Sequence, residues 1–184
     1  MIEGKPEHKK LRCAAIGVGR MGQHHARVYA QMPDVELVGV YDTSPERAQE
    51  IADKFECEVF PTLEAVVAAN IDAASVAVPT IFHKEMAEPL LRAGIACLIE
   101  KPLAQDPEEA EAIKTIADES GAILMVGHIE RFNPIMRALS RATAEGLTIT
   151  PRFMEVHRVS PMTFRSVDIG VVYDMGIHDL DVVI

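Results

Sequence analysis

No apolar run in this chain approaches the roughly 20 residues that a membrane-spanning helix needs. The opening segment, Met1-Ile2-Glu3-Gly4-Lys5-Pro6-Glu7-His8-Lys9-Lys10, has no apolar stretch of the kind a secretion signal carries. A membrane protein is therefore not expected, and a cytoplasmic location is. Clusters of basic residues are missing too: 18 Lys and Arg are dispersed among 28 Asp and Glu, for a net charge of −10 and a pI of about 5.1. Phosphate contacts need grouped cations, so this acidic balance argues against nucleic acid or an anionic membrane as partner. The three cysteines, Cys13, Cys57 and Cys97, show no C-x-x-C spacing and fall in or beside strand-like runs. They read as buried free thiols, not as a disulfide or a metal site. No repeat or low-complexity segment occurs. What remains, 48% hydrophobic and 25% charged residues over 184 positions, is ordinary soluble globular material with room for one α/β core and part of a second unit.

The most informative segment is Gly17-Val18-Gly19-Arg20-Met21-Gly22, placed directly after the apolar run Leu11 to Ile16 and before a helix-like stretch, Gln23 to Gln31. Strand, glycine turn and helix in that order begin a dinucleotide-binding unit. In such a unit Gly17 permits the tight turn, Gly19 lets the backbone approach a pyrophosphate, and Gly22 allows the helix to pack closely on its strand. The helix N-terminus offers free N–H groups and a positive dipole end to the phosphates. A ribose reader is expected about 20 residues later. Val35 to Tyr41 reads as a second strand, and Asp42 stands at its carboxyl end. A carboxylate there accepts hydrogen bonds from both ribose hydroxyls and repels a 2′-phosphate, which favours NAD over NADP. The plainer alternative is a glycine turn of another α/β protein, with Asp42 capping the next helix.

Strand-like and helix-like segments alternate over the first two thirds of the chain, the mark of βαβ crossovers and a parallel sheet. Strands are expected at Leu11 to Ile16, Glu36 to Tyr41, Glu58 to Phe60, Ala73 to Val78, Ala96 to Ile99 and Ile123 to Val126. Helices are expected at Pro45 to Phe55 after the cap Ser44, at Leu63 to Ala69, at His83 to Ala93 before Gly94, and at Pro107 to Ser120 between Asp106 and Gly121. After Val126 the rhythm changes. A loop from Gly127 feeds a helix, Pro134 to Glu145; Phe153 to Arg158 reads as a strand of a different unit; Pro161 to Asp168 is loop-like; Val171 to Ile184 reads as a final helix. That helix pattern has no stop signal, so the polypeptide is expected to be an N-terminal fragment of something longer.

Three further motifs follow strands four, five and six, at the edge where open parallel sheets bind ligands. They are Val78-Pro79-Thr80-Ile81-Phe82-His83, Glu100-Lys101-Pro102 and Gly127-His128. Lys101 can donate a charge-assisted hydrogen bond to a substrate oxygen; a surface lysine paired with Glu100 explains the same residue equally well. Near the end stands Asp174-Met175-Gly176-Ile177-His178-Asp179-Leu180-Asp181. On a helix, Asp174 and His178 are i and i+4 and share a face. An imidazole held by a carboxylate suits a general base that removes a hydroxyl proton, and Asp181 could orient it further. A solvated polar helix face is the alternative. No metal is expected, because the second His of H-x-x-x-H and any cysteine partner are missing.

Together these marks resemble the Gfo/Idh/MocA family of NAD(P)-dependent sugar oxidoreductases, and their order covers nearly the whole chain. The resemblance implies an α/β fold: an N-terminal Rossmann parallel sheet over residues 1–127, with residues 128–184 beginning an α+β C-terminal domain with an open antiparallel sheet that serves substrate binding and oligomerisation. It implies Lys101, Asp174 and His178 as catalytic residues, with His178 as acid/base and Lys101 as its partner on the substrate. It also implies NAD contacts from Gly17, Gly19, Arg20, Met21, Gly22, Asp42, Pro79, Thr80, His83, Glu100, Lys101 and Pro102. The partner is then a small sugar, nucleotide-sugar or cyclitol substrate, and the complete protein a homo-oligomer. The stretch from Arg158 to Asp174 is similar to members acting on UDP-N-acetylglucosamine, while inositol-oxidising members share the same catalytic residues. A non-catalytic dinucleotide-binding module is the competing reading; it would have no need of Lys101 with Asp174 and His178.

Overall fold

Each of the six apolar runs becomes a strand of one parallel sheet in the computed structural model, which describes residues 9–157, 159 and 170–183. The strands are β1 (Leu11–Ile16), β2 (Val35–Tyr41), β3 (Glu58–Val59), β4 (Ala73–Val76), β5 (Ala96–Ile99) and β6 (Leu124–Val126). Their order is β3-β2-β1-β4-β5-β6, so the sheet runs outward both ways from the β1/β4 pair. That pair is the topological switch point, where ligands bind open α/β sheets. The helices are α1 (Gly22–Gln31), α2 (Pro45–Phe55), α3 (Leu63–Ala68), α4 (His83–Arg92) and α5 (Pro107–Ser120).

The central strand explains why the sheet is covered on both faces. In β1, Ala14 and Ile16 join one apolar cluster with Val66 of α3, Leu90 and Leu91 of α4 and Ile113 of α5. Ala15 joins the opposite cluster with Ala26 of α1 and Ile51 of α2. Successive side chains of a strand point to opposite faces, so a strand between two helical layers reads as continuously apolar. Each fully buried Leu or Ile contributes about 1.5–3 kcal/mol relative to exposure.

The helix starts follow local chemistry. Ser44 Oγ accepts the Arg47 N–H at 3.3 Å ahead of α2, and Asp106 Oδ1 accepts the Glu109 N–H at 2.8 Å ahead of α5; each cap is followed by a proline in the first turn. Gly121 ends α5 with a left-handed φ of 70°. β4 stops at Val76, two residues short of expectation, because Ala77 and Val78 turn to meet the glycine loop and Pro79 follows. Cys13 and Cys97 are buried and free, as is the half-buried Cys57; burial pushes the Cys97 thiol up to about 12 and the other two to about 11.

The chain divides into two compact units, residues 1–126 and 127–184. Within the second lie a 3₁₀ turn (Ile129–Phe132), helix α6 (Pro134–Ala144), a π-helical turn (Val172–Gly176) and helix α7 (Ile177–Val183). Two expectations need correction there. Residues 153–157 are not a strand, and no strand among the described residues pairs with them; an extended segment without a partner has no ladder to satisfy its N–H and C=O groups. The final helix is not uniform, since its first turn is π-helical. Val171, Val172 and Gly176 are poor α-helix formers, and a widened turn results. Arg158 and residues 160–169, including the loop read at Pro161 to Asp168, lie outside the described residues. No helix among the described residues is long and apolar enough to cross a membrane.

Candidate functional site

The glycine loop sits at the carboxyl end of β1 beside the switch point. Gly17 has a left-handed φ of 76°, and its N–H donates to the Tyr41 carbonyl at 2.7 Å. A Cβ at Gly17 would stand 2.6 Å from Val78, and one at Gly22 would stand 1.7 Å from the Gly17 carbonyl oxygen. Neither position has room for a side chain, so the turn and the first turn of α1 lock together. Gly19 differs, because a Cβ there would meet nothing nearer than the Arg47 Nη1 at 4.0 Å. The loop therefore presents one open backbone face. Val18, Gly19, Arg20, Gln23, Arg47 and Glu50 line the groove beside it, while Met21 is exposed.

The start of α1 suits an anion. No side chain caps it and no acidic residue lies in its first turn, so its dipole end keeps its positive character. Asp42 closes the loop from the other side. Its Oδ2 accepts the Val18 N–H at 2.8 Å and its Oδ1 the Ser44 N–H at 2.9 Å, with the Arg47 guanidinium 3.3 Å away. Asp42 is thus a strut of the loop as well as a carboxylate at the end of β2. These features fit a dinucleotide: an open glycine, an uncapped helix start and an acidic residue at the second strand.

The loops after β4 and β5 are joined by His83, which is almost wholly buried at 1% exposure. Its Nδ1 lies 3.2 Å from the Leu103 carbonyl and its Nε2 3.1 Å from the Val78 carbonyl. A neutral ring donates to only one of them. Burial pushes its pKa down against the pull of those carbonyls. Pro79 and the buried Thr80 open the 3₁₀ turn (Thr80–Phe82) that leads into His83. The Lys101-Pro102 peptide bond is cis.

Sequence reasoning missed the group around Glu100. Its Oε1 accepts the His25 Nε2–H at 2.8 Å, and its Oε2 accepts the Lys101 main-chain N–H at 3.2 Å. The other His25 nitrogen is 3.1 Å from Ser75 Oγ, which also bonds the Tyr29 hydroxyl. Burial works to raise the Glu100 carboxyl, but the His25 hydrogen bond, with the Lys101 N–H and charge, outweighs it and holds it below the usual range. Two signals were available: Ser75 interrupts an apolar strand, and His25 and Tyr29 are i and i+4 on α1.

Asp174 lies in the π-helical turn and His178 in α7. Asp181 is held chiefly by Arg131. Its carboxylate takes the Arg131 guanidinium through Nε at 2.9 and 3.0 Å and through Nη2, and His128 Nδ1 stands 3.5 Å away. The Arg131 hydrogen bonds hold the Asp181 carboxyl below its ordinary range; His178 adds only the smallest pull. No group of three or more His, Cys, Asp or Glu that could hold a metal occurs among the described residues.

The model of an oxidoreductase family with an NAD-binding Rossmann fold, Gfo/Idh/MocA, matches residues 11–128. The chain is 42% identical over 171 residues to the UDP-N-acetylglucosamine 3-dehydrogenase of Acidithiobacillus ferrooxidans, covering 93% of this chain and 52% of that protein. A solved structure of that enzyme superposes with a TM-score of 0.85 over 94% of this chain and 55% of its own, at 41% identity. An inositol 2-dehydrogenase of Rhizobium meliloti is 35% identical over 179 residues, covering 93% of this chain and 53% of that protein. GenD2 from gentamicin A biosynthesis, solved in complex with NAD, superposes with a TM-score of 0.81 at 27% identity, over 99% of this chain and 55% of its own. The chain thus spans about half the length of the relatives it matches. The open glycine loop, the acidic residue after β2 and the family match over the whole sheet agree, and the chain belongs to the Gfo/Idh/MocA oxidoreductase family with its NAD-binding Rossmann fold.

Proposed function

We propose that the complete gene product is a cytoplasmic, homo-oligomeric NAD-dependent dehydrogenase that oxidises a secondary hydroxyl of a nucleotide sugar to a ketone, with UDP-N-acetylglucosamine oxidised at carbon 3 as the leading candidate. In this reading residues 1–127 bind NAD and residues 128–184 begin the substrate-binding and oligomerisation domain. The observation that carries it is the 42% identity to a UDP-N-acetylglucosamine 3-dehydrogenase, which extends over 93% of the chain and so reaches into both units. The glycine loop with Arg20 and Met21 faces the pyrophosphate, Asp42 the ribose, and Pro79, Thr80, His83, Glu100 and Pro102 shape the nicotinamide end. Bound NAD would supply the hydride acceptor for the hydroxyl-bearing carbon. His178 accepts the hydroxyl proton at a ring nitrogen, Lys101 donates a hydrogen bond to the same oxygen, and Asp174 holds the imidazole and a neighbouring sugar hydroxyl.

The test follows NAD reduction by the complete gene product with UDP-N-acetylglucosamine, UDP-glucose, myo-inositol and scyllo-inositol. UDP-N-acetylglucosamine is expected to give the highest kcat/KM, and His178→Ala is expected to lower kcat by roughly 10²-fold or more. Faster turnover of an inositol reassigns the substrate. Absence of turnover on all four, with NAD still bound, leaves a non-catalytic dinucleotide-binding module.

A further inference from the structure

We infer that His25 is a positioning residue for Lys101, acting through Glu100; the inference rests on the dehydrogenase reading above and adds to it a link between the helix of the glycine loop and the lysine after β5. His25 lies three residues beyond Gly22 on α1, and its side chain and that of Glu100 are largely withdrawn from solvent. The hydrogen bonds form one connected set across three elements. A carboxylate only accepts, so the His25 proton on Nε2 faces Glu100 Oε1 at 2.8 Å; Nδ1 then accepts from Ser75 Oγ–H at 3.1 Å, and Ser75 Oγ on β4 accepts from the Tyr29 hydroxyl. The second Glu100 oxygen then accepts the Lys101 main-chain N–H at 3.2 Å. With a neutral imidazole every proton in this set has an acceptor, and the set ends at the amide of the residue proposed to polarise the substrate.

Core packing alone does not account for this choice of side chains. Ser75 is wholly buried within a strand whose neighbours are apolar, and four polar groups must be desolvated where aliphatic side chains would pack at no such cost. What the polar set supplies is direction. The Glu100 N–H is fixed by the Val76 carbonyl at 3.0 Å, so the strand end is held by its backbone. Its carboxylate, held by His25, turns back onto the next amide and restricts the main chain at Lys101. Without the His25 donor the carboxylate is free to rotate away and the Lys101 amide loses its acceptor. Because α1 also begins at the glycine loop, the cofactor loop and Lys101 share one rigid support.

The experiment compares His25→Leu and His25→Gln in the complete gene product. Gln carries an amide N–H donor near the place of Nε2; Leu carries none. The expected result for His25→Leu is a kcat lowered about tenfold or more, with the NAD Kd and sugar KM within about twofold of the parent. In parallel, hydrogen exchange of the peptide holding the Lys101 amide is expected to quicken about fivefold or more. His25→Gln should recover most of both. Should His25→Leu fail to fold, His25→Asn, whose shorter amide reaches Ser75 and not Glu100, takes its place. An unchanged exchange rate at Lys101 overturns the inference, as does a parallel fall of kcat, NAD binding and melting temperature that Gln does not rescue. Lack of turnover by the parent protein sinks the dehydrogenase reading alone; the exchange measurement still decides the positioning role.

Discussion

At Asp42 one carboxylate fixes the glycine loop through the Val18 and Ser44 N–H groups. Under the proposed function the same carboxylate faces the adenosine ribose. Arg47 stands beside it, half exposed, with a guanidinium nitrogen 3.3 Å from Oδ1. The carboxylate is expected to repel a 2′-phosphate and also to occupy the cation that could bind one. Asp42→Ser should therefore move the ratio of NADP to NAD affinity upward by about tenfold, since a charge-assisted contact replaces a repulsion. Adding Arg47→Ala should cancel that gain. Calorimetric titration of both cofactors against the two variants checks this, and an unchanged ratio in Asp42→Ser would count against the assignment. Asp42 was legible in the sequence because its distance from the glycine loop is set by one βαβ crossover. Arg47 was not, since the reach of a long side chain does not follow from its spacing. The His25 to Glu100 bond spans 75 positions and joins a helix to a strand end, so only the sheet order brings it to light.

Helix α1 and the loop before it divide the glycines into two kinds, which mutation can separate. Gly22 is pressed against the Gly17 carbonyl oxygen, a backbone atom that cannot move aside without shifting the turn, whereas Gly19 has open space before it. Gly22→Ala is expected to destabilise the protein by about 1–3 kcal/mol or more through overpacking. Gly19→Ala should leave the melting temperature nearly unchanged while weakening NAD binding about tenfold or more, because the new methyl stands where the pyrophosphate approaches. Thermal melting and NAD titration of both variants read the two effects independently; equal losses of stability would refute the division. Elements of this kind were legible wherever period and punctuation agreed. α2 runs from Pro45 after Ser44 and α5 from Pro107 after Asp106, as expected from those caps. The segment at residues 153–157 shows the limit of such reading. Alternation marks a strand only if a neighbour supplies the ladder, and sequence does not say where that neighbour is. The π-helical turn at Val172–Gly176 was likewise hidden, because one extra residue per turn leaves the apolar pattern of α7 almost intact.

Over the whole molecule, burial is distributed very unevenly. Among the described residues, every member of the buried apolar core lies at or before Ala117, and α6, the π-helical turn and α7 contain no buried residue. Ile129, Phe132, Ile135, Val171 and Leu180 are exposed instead, each by more than half. Isolated helices of 11 and 7 residues gain little from propensity, so their stability has to come from packing. The first unit closes its sheet with helices on both faces and holds its own core. The expectation is that a polypeptide ending at Val126 melts within about 4 °C of the 184-residue chain, a shift corresponding to under about 1 kcal/mol at this size. It should also bind NAD within about threefold of the longer chain, since the groove at Gly19 and Arg47 lies inside that unit. In the 184-residue chain, amides of α6 and α7 should exchange far faster than those of β1 and β5, and an apolar dye should bind until residues 127–184 are removed. Melting curves, exchange rates and dye fluorescence test this together. A melting temperature about 10 °C or more lower on removal of residues 127–184 would mean that the second unit supports the core, and the division of stability argued from burial would be wrong.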